Sequence, residues 1–426
     1  MHKARLTNLR PLDEARNLLA NEVSPRAHLL LPLEHAAGLA LSHDVRSDGP
    51  LPLEDVSAMD GFAIRSADLN GSPLQISCEI AAGSSGGMLK PGTAARIFTG
   101  AVVPEGADTV VPQEQALMQE NGNVLLEKVP PSSHIRKSGE LFTHKSVLAR
   151  HGDRLTPARI ALLASGGAAS VPVYPRVTFA IVLTGSELVS AGESPEPGQI
   201  RDSNGPMLRA LVRESGFGDA HIHRAADDPH SLLMILEQAF ASADIVLTSG
   251  GVSVGDYDFV PEMIDGLDGE TLLHGVSMKP GKPLLVGRVK NKWLIGLPGN
   301  PLSVLAGWRM FALPLAHSLQ GFRRAFKEQP LAARSNGSVQ NKGSRTLLHP
   351  CTIETDSDGV VLLNPVPWKG SHDLYMGSRA DAWMRIEQGE SLTPGTRARY
   401  YVFNQLNPAR MAETQPEESD SIMNIV

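Results

Sequence analysis

Cysteine is almost absent from this chain: Cys78 and Cys351 are the two in 426 residues, far apart and without a metal-ligand spacing. A small disulfide-stapled fold is excluded, a reducing cytoplasmic setting is expected, and a catalytic cysteine is not. No apolar run reaches the roughly 18 residues that a membrane span needs. The longest weakly polar region, Ile160 to Pro175, is broken by Gly166, Gly167, Pro172 and Pro175. The N-terminal MHKARLTNLRPLDEARNLL has no apolar signal core. Positive charge is not in excess either. A formal net charge of −7 argues against general nucleic-acid binding but leaves room for local cationic pockets. The 14 histidines fall in no metal spacing, and the chain carries no internal repeat.

What is present is ample apolar material, 42% of residues, for the two to four domains that this length predicts. Pro11 to Val23 carries apolar residues at helical spacing (Leu12, Ala15, Leu18, Leu19) and is stopped by Pro25. Asp48-Gly49-Pro50-Leu51-Pro52 reads as a rigid linker. From Ser57 to about Val147, glycines and short alternating runs such as Leu74 to Ile80 and Thr109 to Pro112 predict an inserted all-β module. Thr156 to Gly166 reads as a helix. From Arg176 the pattern becomes β-α-β-α-β: Val177 to Leu183, the stripe over Asn204 to Glu214, Ala220 to His223, a helix opened by Asp228-Pro229, and Asp244 to Thr248. That order predicts a largely parallel sheet covered on both faces. From Arg345 to Phe403 β character returns, with turns at Asp358-Gly359 and Pro394-Gly395, and a small barrel is expected. The expected fold class is therefore α/β plus β and multidomain. An N-terminal extended region over 1–175 carries the β module at about 53–147. A doubly wound α/β domain at 176–322, a small C-terminal β-barrel at 328–404 and an acidic disordered tail at 405–426 follow.

The chain is organised around Ser277 to Ser303, SMKPGKPLLVGRVKNKWLIGLPGNPLS. Lys279-Pro280-Gly281-Lys282-Pro283 holds two ammonium groups at a nearly fixed separation, because two prolines remove backbone freedom and one glycine allows a sharp turn. Such a pair suits an oxyanion. Three loops, Thr184 to Glu187, Ser249 to Gly255 and Pro298 to Pro301, are expected at the carboxyl ends of parallel strands, where α/β sheets bind ligands. Their glycines expose backbone amides, which favours phosphate; singly, each could equally be an ordinary turn. Carboxylates gather in the same loops: Glu187, Asp227, Asp228, Asp256 and Asp258. Acids beside an anion repel it unless a cation stands between, and Mg²⁺ held by one or two carboxylates plus substrate phosphates resolves the conflict. Asp228 is also placed to be a helix cap.

Six motifs in order resemble one family. Ser57-Ala58-Met59-Asp60-Gly61, Phe98-Thr99-Gly100-Ala101, Pro104-Glu105-Gly106-Ala107-Asp108, Ser249-Gly250-Gly251-Val252-Ser253-Val254-Gly255, Lys279-Pro280-Gly281-Lys282-Pro283 and Leu297-Pro298-Gly299-Asn300-Pro301 are similar to those of molybdopterin molybdenumtransferase. This is the MoeA family, which includes the E domain of gephyrin. The resemblance implies insertion of molybdate into adenylyl-molybdopterin, giving molybdenum cofactor and AMP, with Mg²⁺ or another divalent cation assisting. It implies a homodimer with each active site formed between subunits. Asp60 and Thr99 would be presented by one subunit's β module to the other's cleft, and Glu187, Asp227 and Asp258 would be cleft acids. Glu187, Asp256 and Asp258 would hold the cation. Ser249, Gly250, Gly251 and Ser253 would form the phosphate and pterin loop. Lys279, Lys282, Pro283, Arg345 and Ser371 would hold molybdate, and Pro298, Gly299, Asn300 and Pro301 would form the second cleft loop. Molybdopterin adenylyltransferase and the molybdoenzymes that accept the product are the expected protein partners, with no nucleic acid and no membrane.

Three positions depart from the family pattern. Leu141 and Ser186 stand where many relatives have an acid, and Gly275 where a base is frequent. They bear on two other readings: a catalytically weak or inactive molybdopterin-binding paralogue or scaffold, and a molybdopterin adenylyltransferase. The latter enzyme lacks the two β regions, which argues against it.

Overall fold

A computed structural model describes residues 9–84, 86–252, 258–322 and 324–405. Ser253, Asp256 and, beyond Gln405, the expected tail lie outside the described residues. The chain divides into two compact units, Leu30–Val173 and the segments on either side of it, Met1–Leu29 with Tyr174–Val426.

In the Leu30–Val173 unit, six strands form one sheet: β1 (Gly61–Ile64), β2 (Leu74–Ile80), β3 (Thr93–Ile97), β4 (Thr109–Pro112), β5 (Ala116–Met118) and β6 (Asn123–Leu126), in the order β4-β1-β3-β2-β6-β5. Successive side chains of a strand point to opposite faces. Phe62 and Ile64 accordingly pack with Leu74, Val111 and Val124, while Ala63 packs with Ile80, Ile97 and Val110. A third cluster gathers Leu33, Leu41, Leu155, Leu163 and Val173 around the helix Pro157–Ser165. That helix starts where its sequence says it should, since Thr156 caps the Arg159 amide and proline sits in the first turn. Asp48 to Pro52 lies inside this unit rather than joining free pieces. Leu51 exchanges hydrogen bonds with the returning chain, its amide to Phe142 O at 2.8 Å and its carbonyl from Leu141 N at 3.0 Å.

The flanking unit contains a doubly wound sheet. Its strands are β7 (Phe179–Thr184), β8 (Ala220–Ala225), β9 (Ile245–Ser249), β10 (Glu270–His274), β12 (Leu285–Val289) and β13 (Lys292–Leu297), while β11 (Val276–Lys279) leaves it for the barrel sheet described next. The order is β8-β7-β9-β13-β12-β10. The first four strands run parallel, and β13-β12-β10 continue antiparallel. All of β7 and β9 is buried, as apolar runs without polar alternation require when helices cover both faces. Phe179, Ile181 and Leu183 pack with Leu208, Leu211 and Val212 of the helix Asn204–Glu214, whereas Ala180 and Val182 pack with Leu232, Leu236 and Phe240 of the helix Pro229–Ser242. From β7 the chain steps to β8 on one side and then to β9 on the other. The sheet therefore has a topological switch point between β7 and β9, the place where open α/β sheets bind ligands.

The C-terminal strands β14 (Leu331–Ser335), β15 (Thr346–Thr355), β16 (Val361–Pro365), β17 (Ala382–Ile386) and β18 (Arg397–Val402) close on themselves as β15-β16-β14-β18-β17-β15. This five-stranded barrel encloses Cys351, Leu363, Met384 and Ala398. Burial pushes the Cys351 thiol up to about 12, which keeps it protonated and unreactive. Strand β11 pairs in parallel with the barrel, Met278 opposite Thr346 and Lys279 opposite Leu347. That pairing brings the KPGKP loop to the barrel's edge.

Candidate functional site

One cleft of about 220 Å³ is lined by Lys279, Lys282, Pro283, Pro298, Asn300, Arg345 and Ser371, together with Pro280, Gly281, Ser303 and Trp368. Each wall has a local cause. Lys279 sits at the end of β11 and is followed by a cis bond to Pro280. Gly281 turns the chain at a φ of 105°, and the loop is closed by Leu284 N donating to Gly281 O at 3.2 Å and Val276 N to Lys282 O at 2.9 Å. Arg345 directly precedes β15 and donates from Nη1 to Met278 O at 3.1 Å, which aligns its guanidinium with β11. Ser371 O accepts from Leu302 N at 3.0 Å, so the barrel loop is fastened to the first turn of the helix Pro301–Gly307. Lys279 is exposed and Lys282 half-buried. Trp368 packs edge-on against His349, ring centroids 5.7 Å apart. Burial holds His349 below the ordinary histidine range, and the Lys279 charge adds to that effect.

The loops after β7, β9 and β13 share one sheet edge, since these strands are parallel neighbours. Ser249 is buried. Gly250 and Gly251 have φ of 93° and 70°, conformations that side chains rarely adopt. Gly250 N donates to Leu297 O at 3.0 Å. Asn204, the first residue of the helix Asn204–Glu214, joins two of the loops: its Nδ2 donates to Ser249 Oγ at 2.9 Å and to Gly299 O at 2.7 Å. The polar triplet Asp202-Ser203-Asn204 before the helix was the available signal. Asp202 is itself buried and accepts from Gly205 N at 2.9 Å and from Arg224 at 3.2 Å.

The acids divide into different roles. Asp228 caps the helix Pro229–Ser242, accepting from Ser231 N at 2.8 Å. Asp227 Oδ2 accepts from both the amide and the hydroxyl of Ser186, at 2.7 and 2.8 Å. The Ser186 side chain thus adds one donor to the backbone amide that already meets Asp227. Glu187 is exposed and folds back over Gly185, where a Cβ would meet its carboxylate oxygens at 2.7 and 2.8 Å. Asp258 is half-buried. Among the described residues no group of three or more His, Cys, Asp or Glu could hold a metal ion. In the Leu30–Val173 unit, Asp60 and Thr99 are brought together. Thr99 donates from its amide and its hydroxyl to Asp60 Oδ1, both at 2.8 Å, and these bonds hold the Asp60 carboxyl below the usual carboxylate range.

Comparison with known proteins agrees with this architecture. Residues 10–167 match the MoeA N-terminal region (domain I and II), and residues 180–318 match a probable molybdopterin binding domain. Molybdopterin molybdenumtransferase 2 of Mycobacterium tuberculosis is 35% identical over 349 residues, covering 79% of this chain and 86% of that protein. The Haemophilus influenzae molybdopterin molybdenumtransferase is 31% identical over 400 residues, 93% of this chain and 99% of that one. A crystal structure of the molybdopterin biosynthesis MoeA protein from Pyrococcus horikoshii matches with a TM-score of 0.77 at 30% identity, covering 93% of this chain and all of that one. With motifs, strand order and near full-length relatives in agreement, the chain belongs to the molybdopterin molybdenumtransferase family and acts in molybdenum cofactor biosynthesis.

Proposed function

We propose that the protein inserts molybdate into adenylyl-molybdopterin, releasing AMP and molybdenum cofactor. The observation that carries this reading is the cleft that gathers Lys279, Lys282, Arg345 and Ser371. Molybdate is a tetrahedral dianion. Two ammonium groups, a guanidinium fork and a hydroxyl give it charge-assisted hydrogen bonds from several directions. Prolines 280, 283, 298 and 301 keep the walls from collapsing, so the anion meets donors already in position. The Ser249-Gly250-Gly251 turn would meet the substrate's phosphate or pterin through the Gly251 amide, since the Gly250 amide is held by Leu297 O, and Asn204 keeps that turn in register with the Pro298 to Pro301 loop.

A divalent cation, Mg²⁺ by its preference for oxygen, belongs to this reading. Glu187 and Asp258 are hard oxygen donors and, with Asp256, would hold it; Mg²⁺ is typically completed by substrate phosphates and water rather than by an all-protein cage. When bound it would offset the pyrophosphate's charge. Asp60 and Thr99, locked to each other, would complete the cleft of a partner subunit in a homodimer. A cytoplasmic setting, and contact with molybdopterin adenylyltransferase and acceptor molybdoenzymes, belong to the same proposal. An N-terminal region over 1–175 with its β module at about 53–147, an α/β domain at 176–322 and a barrel domain at 328–404 would be the working parts of such an enzyme.

The test is AMP release from adenylyl-molybdopterin with and without molybdate and Mg²⁺. Molybdate-dependent release that Lys282→Ala suppresses is expected; release that ignores molybdate would refute the assignment. A non-catalytic molybdopterin-binding scaffold is the second reading, favoured by the engagement of Asp227 with Ser186. It predicts molybdopterin binding with no AMP release from the intact protein.

A further inference from the structure

The cleft around Lys279 and Arg345 has one aromatic wall, the half-buried Trp368. Of the four tryptophans in the chain, Trp293, Trp308 and Trp383 are 3%, 0% and 0% exposed, so Trp368 is the one that keeps an accessible part. Its segment is fixed on both sides: Val366 N donates to Pro350 O at 2.9 Å and Lys369 N to Asp373 Oδ2 at 2.8 Å. The indole packs against Leu302's core cluster and against the barrel core, and it meets His349 edge-on. A ring braced in this way loses little freedom when a flat ligand settles on it. Trp308 Nε1 donates to Asn404 Oδ1 at 2.8 Å, whereas Trp368 Nε1 meets no acceptor among the described residues; an indole used only for packing usually has one. The face of an indole carries negative charge density and gives an oxyanion nothing. What suits that face is a flat heterocycle.

We propose that Trp368 is the stacking platform for the pterin of the substrate and thereby a specificity-determining residue of the cleft. The proposal rests on the reading of this cleft as the place where molybdate is inserted. Adenylyl-molybdopterin carries two flat heterocycles, pterin and adenine. Molybdate has to reach the dithiolene sulfurs, which are borne on the ring system fused to the pterin, while the adenine lies beyond the pyrophosphate. The heterocycle nearest an anion held by Lys279 and Arg345 is therefore the pterin. Trp368 touches the substrate there, aligns the dithiolene with the anion and covers it from water, and takes no part in making or breaking bonds.

Molybdopterin itself, without an adenylyl group and without molybdate, is the probe, because it can bind the full chain but cannot release AMP. Its binding is followed by the fluorescence of the pterin, which an indole quenches on stacking. The unaltered protein is expected to quench that emission, and Trp368→Leu to bind molybdopterin roughly tenfold more weakly. Trp368→Phe should keep the affinity within about threefold while losing the quenching. Calorimetric affinities for molybdate and for AMP should not change in either variant. The proposal is overturned if Trp368→Leu binds molybdopterin as tightly as the parent, or if the loss falls instead on AMP, which would put the adenine on the indole, or on molybdate, which would make Nε1 an anion donor. If a lowered Tm shows that Trp368→Leu fails to fold, Trp368→Phe decides: quenching that survives the loss of the indole overturns the platform. AMP release by the unaltered protein from adenylyl-molybdopterin reports separately on the reaction. Release with Trp368-independent binding rejects only the platform, and Trp368-dependent binding without release rejects only the reaction.

Discussion

Asn204 shows how a single side chain can set the geometry of a site that it was not expected to join. Its amide holds Ser249 Oγ and Gly299 O at once while lying 9% exposed. Asn204→Ala leaves those acceptors without their donor and should cost about 1–3 kcal/mol in denaturant unfolding. AMP release should fall further than stability predicts, because two loops lose their register. Gly250 is constrained differently: at a φ of 93°, an added Cβ would lie 2.7 Å from Thr184 Oγ1 and 3.0 Å from Thr184 O. Gly250→Ala should destabilise the fold by about 1–3 kcal/mol, measured as a lowered Tm. The sequence made Gly250, Lys279 and Lys282 legible because residue type alone carries their meaning. It could not reveal Asn204, whose partners are 45 and 95 residues away.

Elements were legible where local chemistry decides them. Thr109–Pro112 and Asn204–Glu214 have the bounds that their runs and stops predict. The start of the helix Pro229–Ser242 follows from Asp228-Pro229. Barrel closure was less legible, because the β15–β17 pairing joins residues some thirty to forty positions apart, and such pairing depends on tertiary packing rather than on propensity. The same element separates two meanings of an acid. Asp228 lies among the carboxylates that sequence reading gathered near the phosphate loops, yet its Oδ1 accepts the Ser231 amide. Asp228→Ala should lower stability by about 1 kcal/mol, the loss of one cap, and leave molybdate-dependent AMP release per folded molecule unchanged. A fall in turnover at saturating Mg²⁺ would instead make Asp228 part of the cation site.

At the scale of the molecule, the N-terminal helix, the α/β sheet and the barrel are fastened by buried cations that composition does not disclose. Arg16, on the helix Leu12–Glu22, is 3% exposed and donates to Met310 O and Phe326 O, both at 2.9 Å. Arg309 and Glu328 form an ion pair at 2.8 Å, with side chains 1% and 3% exposed. Glu328→Gln strands the guanidinium and should cost about 3–5 kcal/mol, seen as a large drop in Tm. Nearer the surface, Asp13 accepts from Arg385 at 2.6 and 2.8 Å. The Arg385 hydrogen bond holds the Asp13 carboxyl below its ordinary value against the opposing effect of burial. A carboxyl depressed on folding binds fewer protons in the folded state than in the unfolded one. Its stabilisation is complete above an unfolded pKa of about 4 and is lost as pH falls through the lower folded value. Asp13 is largely exposed, so screening limits the gain to about 1 kcal/mol or less. Asp13→Asn should therefore be less stable than the parent at pH 7 by that amount. The gap in denaturant midpoints should narrow as pH falls below about 4, and a gap that stayed constant with pH would assign the contribution to packing rather than to charge.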